Sequence, residues 1–356
     1  MSVRSGLGEL MQKTGVVLLL ITGLGLGITT AQGPASAQAP AGPAVNKIDP
    51  SLDAIIASDA KLEILKEEYF AFTEGPVWFP EAGGGYLLFS DLPANKIYKW
   101  DPKGGLSVFL DPSGFTGKEF PDTGAFSNGR FYVHLIGSNA LARDPEGRLV
   151  FCTHGDRAIV RIEKDGKTRT VLADKFEGKR LSGPNDLTIK KDGTIYFSDR
   201  GSHLRGGVKS PERELAFNAI FRFKDGKVDV MEKDDPGVNG VALSPDEKYL
   251  FAISTGQIFK YDVAADGTLT NRQQFVDMRN DKAPGGPDGM KVDKKGNVFS
   301  VGPGGVWIIS PAGKLLGKVN LPNPAANVAF GDADYRGLYI TARTSLMHIR
   351  LAAPAL

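Results

Sequence analysis

The sequence predicts an all-β fold: a six-bladed β-propeller whose last blade is closed by an N-terminal strand. Three observations carry that prediction. A hairpin with a polar head recurs six times, each copy is followed by a third strand, and five copies are followed by a fourth. The missing fourth strand is available just ahead of the first copy, as KLEIL at 61–65. Repeats of about 40–50 residues holding four strands each are the mark of a propeller.

The hairpin is clearest at 181–201, LSGPNDLTIKKDGTIYFSDRG. A Gly-Pro turn delivers Asn185 and Asp186 to the head of a short apolar strand, Leu187-Thr188-Ile189. An Asp-Gly turn, suited to right-twisted strands, reverses the chain. The returning strand, IYFS, is aromatic and β-branched and ends on Asp199. The other first strands begin at Glu74, Ser138, Val238, Gly286 and Ala326. Second strands fall at 86–91, 149–154, 195–200, 250–255, 298–303 and 338–343. Third strands read KIYKWD, AIVRIEKDG, AIFRFKDG, QIFKYDV, GVWIISPAG and SLMHIRL. Fourth strands read LSVFLD, TRTVLAD, KVDVMEK, QQFVDM and LLGKVNL, and the chain then runs out in AAPAL after Leu351. Closing the last blade with 61–65 hides edges that an open array would expose. The propeller domain is therefore placed at 61–352.

Ahead of it, Arg4 and Lys13 precede an apolar run, 16–28, too short and glycine-rich for a membrane span of about 20 residues. Ala35-Ser36-Ala37 then offers an A-x-A cleavage site. Residues 1–37 read as a signal peptide and 38–60 as a flexible leader. The expected location is periplasmic or secreted, with no stable membrane anchor after cleavage. An uncleaved anchor is the alternative.

With 43 basic and 41 acidic residues the chain shows no basic cluster suited to nucleic acid. The single Cys152 lies in a predicted strand and reads as a small buried apolar side chain. The length would ordinarily suggest two domains, but a propeller is one closed unit. Forty-four glycines and 22 prolines suit a chain of many tight turns.

Two segments break the repeat. The first, 111–137, carries four phenylalanines and Tyr132 between blades one and two. It reads either as a packed loop or extra hairpin at the rim, or as a partial lid at the channel mouth. The second, 202–216, follows Asp199 inside blade three and reads as charged and solvated.

The chemistry follows from the phase of the repeat. The first strand of each propeller blade lines the central channel, so equivalent positions form a ring: Glu74, Asn139, Asn185, Asn239, Asp288 and Asn327. All are carboxylates or carboxamides, which strand propensity disfavours. A turn could explain any one of these side chains, but not the persistence of oxygen at all six positions. Enclosing them without a partner would be costly. A hard divalent cation satisfies them, Ca²⁺ taking about six to eight oxygens. With no His or Cys in the ring, structural zinc geometry is disfavoured. Ca²⁺ fits best, with Mg²⁺, Mn²⁺ and Zn²⁺ as alternatives.

Glu74-Gly75-Pro76-Val77-Trp78, Pro184-Asn185-Asp186, Asn239-Gly240 and Pro287-Asp288-Gly289-Met290 resemble the four signature motifs of the senescence-marker-protein/gluconolactonase (regucalcin-like) family. The stretch 147–199, with CTHGDRAIVRIEKDG and FEGKRLSGPNDL, is similar to its bacterial gluconolactonase branch. The resemblance covers roughly 72–351. It implies that Glu74, Asn185, Asn239 and Asp288 bind a catalytic divalent metal and that Asn139 stands on the substrate side. The chain departs from the branch at Ser182-Gly183, usually Asn-Ser, at Thr153, often Glu, and at Arg200, usually Pro.

The implied activity is metal-assisted hydrolysis of a sugar lactone to an aldonic acid, the partner being a small-molecule lactone or ester. Asp288 is the candidate base for the attacking water. Asn327 and His154 are candidate substrate contacts; His154 and His203 both follow second strands and could reach the mouth. Two other readings remain open at this stage: phosphotriester hydrolysis on the same metal site, and an exported binding module with a structural metal.

Overall fold

The computed structural model describes residues 43–233 and 237–356. The expected signal peptide, 1–37, and the first residues of the leader lie outside the described residues. Six antiparallel sheets run around a common axis, each with its first strand innermost. Those first strands are Thr73–Glu81, Ser138–Arg143, Pro184–Ile189, Val238–Leu243, Met290–Val292 and Asn327–Gly331. Each contacts its neighbours in the next blades, which closes the ring. The sixth blade ends as predicted, with Leu62–Lys66 antiparallel to Ser345–Arg350.

Second strands such as Ile195–Asp199 and Val298–Gly302 are buried along their whole length, because a neighbouring blade covers each face. That explains their continuous apolar character. The space between blades is filled by clusters such as Leu88, Leu141, Phe151 and Val160, or Phe299, Val328 and Ile340. Trp78 of blade one stacks on Tyr339 of blade six, with centroids 5.6 Å apart, at the seam where the ring closes.

The leader reading of 38–60 is corrected over its described part. Val45–Lys47 pairs with Leu315–Asn320 as a fifth strand of blade five. Pro50–Ala54 forms a 3-10 turn whose N-cap Asp49 accepts from the Ser51 backbone (2.9 Å). Leu52 and Ile56 enter the core beside Phe299 and Met347. A segment that buries two large aliphatic side chains is held in place, not a free tether. The chain end is also tied down: Ala355 is buried, donates to the Tyr335 carbonyl and accepts from Lys294 N (2.7 Å).

The two insertions meet. Within 111–137, Ala125–Ser127 and Tyr132–His134 form a hairpin above a small core of Leu92, Val133 and Leu135. Thr123 bridges to Leu204 of the second insertion, and Gly124 N donates to His203 O (2.8 Å). The second insertion is therefore not simply solvated: His203, Leu204, Ser210 and Leu215 are buried. Charge dominates its sequence, but its contacts come from a segment some eighty residues upstream in the chain, which no local pattern reveals.

Candidate active site

The head of each first strand carries one ring residue, and local backbone irregularity aims it. Register shifts fall between Glu74 and Val77, between Pro184 and Leu187, and between Val238 and Val241. A bulge at these places bends the strand and re-aims side chains. Blade two carries the same bulge on its first strand, where Ser138 to Leu141 spans three steps against two from Thr153 to Phe151, with Asn139 inside it. Glycine follows several ring residues because neighbouring strands come very close there. Gly75 has φ 54°, and a Cβ on it would stand 2.2 Å from the Asn139 carbonyl oxygen. A Cβ on Gly289 would stand 2.0 Å from Asn327 Cγ.

Three carboxylates are enclosed here. Burial pushes Glu74 well above the usual carboxylate range, and the like charges of Asp288 and Asp186 add to the rise. Gly75 N (2.5 Å) and Asn327 Nδ2 (3.0 Å) donate to Glu74 Oε2 and oppose it. Burial pushes Asp288 up to about 7, with Arg200 opposing, Asp186 reinforcing and a hydrogen bond from Asn239 opposing. Asp186 is raised by burial too, chiefly opposed by Lys291. It accepts from Leu187 N (2.8 Å) and Val241 N (3.1 Å), tying blade three to blade four beneath the ring.

The carboxamides divide into two groups. Asn139 Nδ2 lies 3.1 Å from His154 Nε2, and Asn185 Nδ2 lies 3.5 Å from His203 Nε2. The two imidazoles stack on one another, with centroids 3.9 Å apart. Burial lowers His154 to about 3 and His203 well below its ordinary value, so both rings are neutral at physiological pH. Asn327 differs: its Oδ1 accepts from Val328 N (2.9 Å) and Lys291 Nζ (3.3 Å), while its Nδ2 serves Glu74. It joins the ring as predicted, but its polar atoms are spent on protein partners and it supports Glu74. Asn239 Oδ1 is the opposite case, buried with no hydrogen-bond partner among the described residues.

Three charged residues were not singled out as site residues from the sequence. Asp186 was visible within the Pro-Asn-Asp motif, although its ties across blades were not. Lys291 was not visible, since it reads as a surface lysine after the Asp-Gly-Met turn. Arg200 appeared only as a departure from the family pattern. Its Nε donates to Ser202 Oγ (2.9 Å), and among the described residues no carboxylate forms an ion pair with it. Cys152 is fully buried as expected, and burial raises its thiol well above the ordinary value.

Residues 72–344 match the family described as the SMP-30/Gluconolactonase/LRE-like region. The chain belongs to this family. It is 35% identical over 317 residues to a gluconolactonase of Zymomonas mobilis, covering 86% of this chain and 85% of that protein. It is 25% identical over 276 residues to a pentonolactonase of Haloferax volcanii, covering 75% and 80% respectively. Among solved structures, a gluconolactonase of Xanthomonas campestris aligns with a TM-score of 0.72 at 31% identity, covering 90% of this chain and 98% of that one. The four stretches that resemble the family's signature motifs lie at strand heads that converge on the axis.

Proposed function

We propose that this chain is a gluconolactonase-like lactone hydrolase that opens a sugar lactone to its aldonic acid with the help of one divalent cation. The relatives support the reaction class: those aligned over most of the chain include a gluconolactonase and a pentonolactonase. The observation that carries the cation is Asn239 Oδ1, buried and without a partner among the described residues, on the side chain that hydrogen-bonds the raised carboxyl of Asp288. Orphaned buried oxygens are rare and costly, and an oxygen-only donor set suits Ca²⁺ or another hard ion. Glu74, Asn185, Asn239 and Asp288 would hold it. When bound, such an ion supplies Lewis-acid polarisation of the lactone carbonyl and of water.

The protein's own groups account for the remaining work. Asp288 takes the proton of the attacking water, its basicity raised by burial and restrained by Arg200. Asn139, held at its Nδ2 end by His154 Nε2 (3.1 Å), presents its carboxamide oxygen to the substrate's hydroxyls. The Arg200 guanidinium, which feels the Asp288 charge but forms no ion pair among the described residues, would bind the oxygen on which negative charge collects during attack. The paired insertions shield this mouth from bulk water. Asn327, its atoms already committed, holds Glu74 and does not touch substrate. Residues 1–37 are proposed to direct export to the periplasm or beyond. The activity is tested by assaying purified protein, supplied with Ca²⁺, Mg²⁺, Mn²⁺ or Zn²⁺, on glucono-1,5-lactone, pentono-lactones and aliphatic lactones. Hydrolysis of a sugar lactone is expected; inactivity on every lactone with every ion would overturn the reading.

A further inference from the structure

We infer that the stacked His154–His203 pair is a positioning device that turns the carboxamide oxygens of Asn139 and Asn185 toward the channel axis. An asparagine amide has two ends, and only the oxygen can serve a cation or accept from a substrate hydroxyl. Which end faces the axis depends on what the other end finds outside it. Here that partner is an imidazole Nε2 in both cases, 3.1 Å from Asn139 Nδ2 and 3.5 Å from Asn185 Nδ2.

The direction of these contacts follows from the rings. A neutral imidazole carries one proton, so one nitrogen donates and the other accepts. Each Nε2 faces an amide nitrogen, which can only donate, while each Nδ1 is buried with no hydrogen-bond partner among the described residues. With the proton on Nδ1, each Nε2 is an acceptor, and the group facing it must be the amide NH2. Both carboxamide oxygens then point inward. The reverse orientation would aim two NH2 groups at the axis, wasting the only ligating atom that each residue has.

The rings are held as firmly as the amides. They stack on one another at 3.9 Å, and Phe126 of the first insertion sets its edge 5.9 Å from His203. Gly124 N, from the same insertion, donates to the His203 carbonyl (2.8 Å). The insertion thus acts on Asn185 through His203. Partners that orient ligating side chains are commonly worth about 10–100-fold in metal affinity.

The test has two arms, and only the second rests on the cation reading. In the first, the ¹⁵N chemical shifts of the histidine rings are measured in wild-type protein, with His154→Gln and His203→Gln giving the assignment. Protons on Nδ1 in both rings are expected, whereas Nε2–H in both, the tautomer preferred in water, would overturn the inference. In the second, Ca²⁺ affinity is measured by calorimetry alongside the melting temperature. His203→Leu, which keeps bulk but offers no acceptor, is expected to weaken binding at least tenfold. His203→Gln, whose amide oxygen can still accept, is expected to stay nearer wild type. Equal affinities in wild type, Leu and Gln variants of matched stability would overturn the inference. Should His203→Leu fail to fold, His154→Leu and His154→Gln repeat the comparison at Asn139, read there as KM for the lactone, which should rise in the Leu variant and stay nearer wild type in the Gln variant. Wild-type protein that binds none of the four divalent ions would sink the cation reading, while the tautomer arm still decides the orientation.

Discussion

The two halves of the inner strands have the same backbone, the same neighbours and opposite chemistry. Their leading residues gather Glu74, Asn139, Asn185, Asn239 and Asp288 around one end of the channel. Two to four residues further on, the same strands line a cavity of about 350 Å³ with Val77, Leu141, Ile189, Val241, Val292 and Phe330. Lys291 stands between the two zones, reaching Asn327 Oδ1 from the apolar side. The contrast teaches that a propeller separates function from support along each strand rather than between strands. The polar end tolerates enclosed carboxylates that cost stability, and the apolar end holds the ring closed. Substitutions at the two ends should therefore fail in different ways.

The largest effect is expected from Asp288→Asn. The amide keeps an oxygen at that position but cannot accept a proton, so lactone turnover should fall by about 10²–10⁴-fold. Turnover is to be measured at saturating cation, with occupancy confirmed by elemental analysis. The melting temperature should hold or rise, because the substitution relieves repulsion from Asp186 and Glu74. Wild-type turnover in the fully loaded variant would remove the base assignment.

At the apolar end, Leu187→Ala should do the converse. Leu187 is buried in the cluster shared by blades two and three and lines the cavity, so truncation should cost about 2–5 kcal/mol of stability. Denaturant titration measures the loss, and kcat per folded molecule should stay within a few-fold of wild type. A selective loss of turnover without loss of stability would break the division between the ends.

Gly289→Ala probes the boundary. The new methyl would meet Asn327, whose Nδ2 donates to Glu74, so Glu74 should be displaced. A drop of about tenfold in cation affinity with a smaller change in stability is expected from disturbing a residue that orients a ligand. Calorimetry beside a melting curve would show it.

The smallest effect lies far from the channel and serves as a control. Asp332 is held down to about 2, mainly by hydrogen bonds from His348 and Tyr339 against the cost of burial. A depressed carboxyl stabilises the fold above its unfolded value, near 3.8, and that contribution is lost as pH falls through about 2. Allowing for its partial exposure, Asp332→Asn should cost about 1 kcal/mol at neutral pH. It should also flatten the loss of stability between about pH 4 and pH 2 without changing turnover. A catalytic defect in this variant would show that the site is not insulated from the rim.

What the sequence made legible was whatever the repeat amplifies. Six aligned copies make the strands plain and reduce the closing strand, Leu62–Lys66, to the filling of one gap. The same phase picks out the ring, because a side chain at a fixed repeat position faces the axis every time. Single events have no such amplification. The fifth strand at Val45–Lys47 has no counterpart in the other blades, and its short polar stretch resembles a tether until Leu52 and Ile56 are seen in the core. The bridge from Thr123 to Leu204 joins two insertions that share no pattern. Asn327 shows the remaining gap: its ring position was readable, but the use of its two amide atoms depends on Lys291 and Glu74, which the repeat does not describe.

The proposed cation-dependent hydrolytic centre at the polar end is open to direct test. The most direct measurement is lactone hydrolysis by wild-type protein stripped of metal, verified by elemental analysis, and then titrated with Ca²⁺, Mg²⁺, Mn²⁺ or Zn²⁺. The account predicts that stripped protein is inactive and that turnover returns in proportion to one bound ion per chain. Undiminished hydrolysis by verified metal-free protein would contradict it.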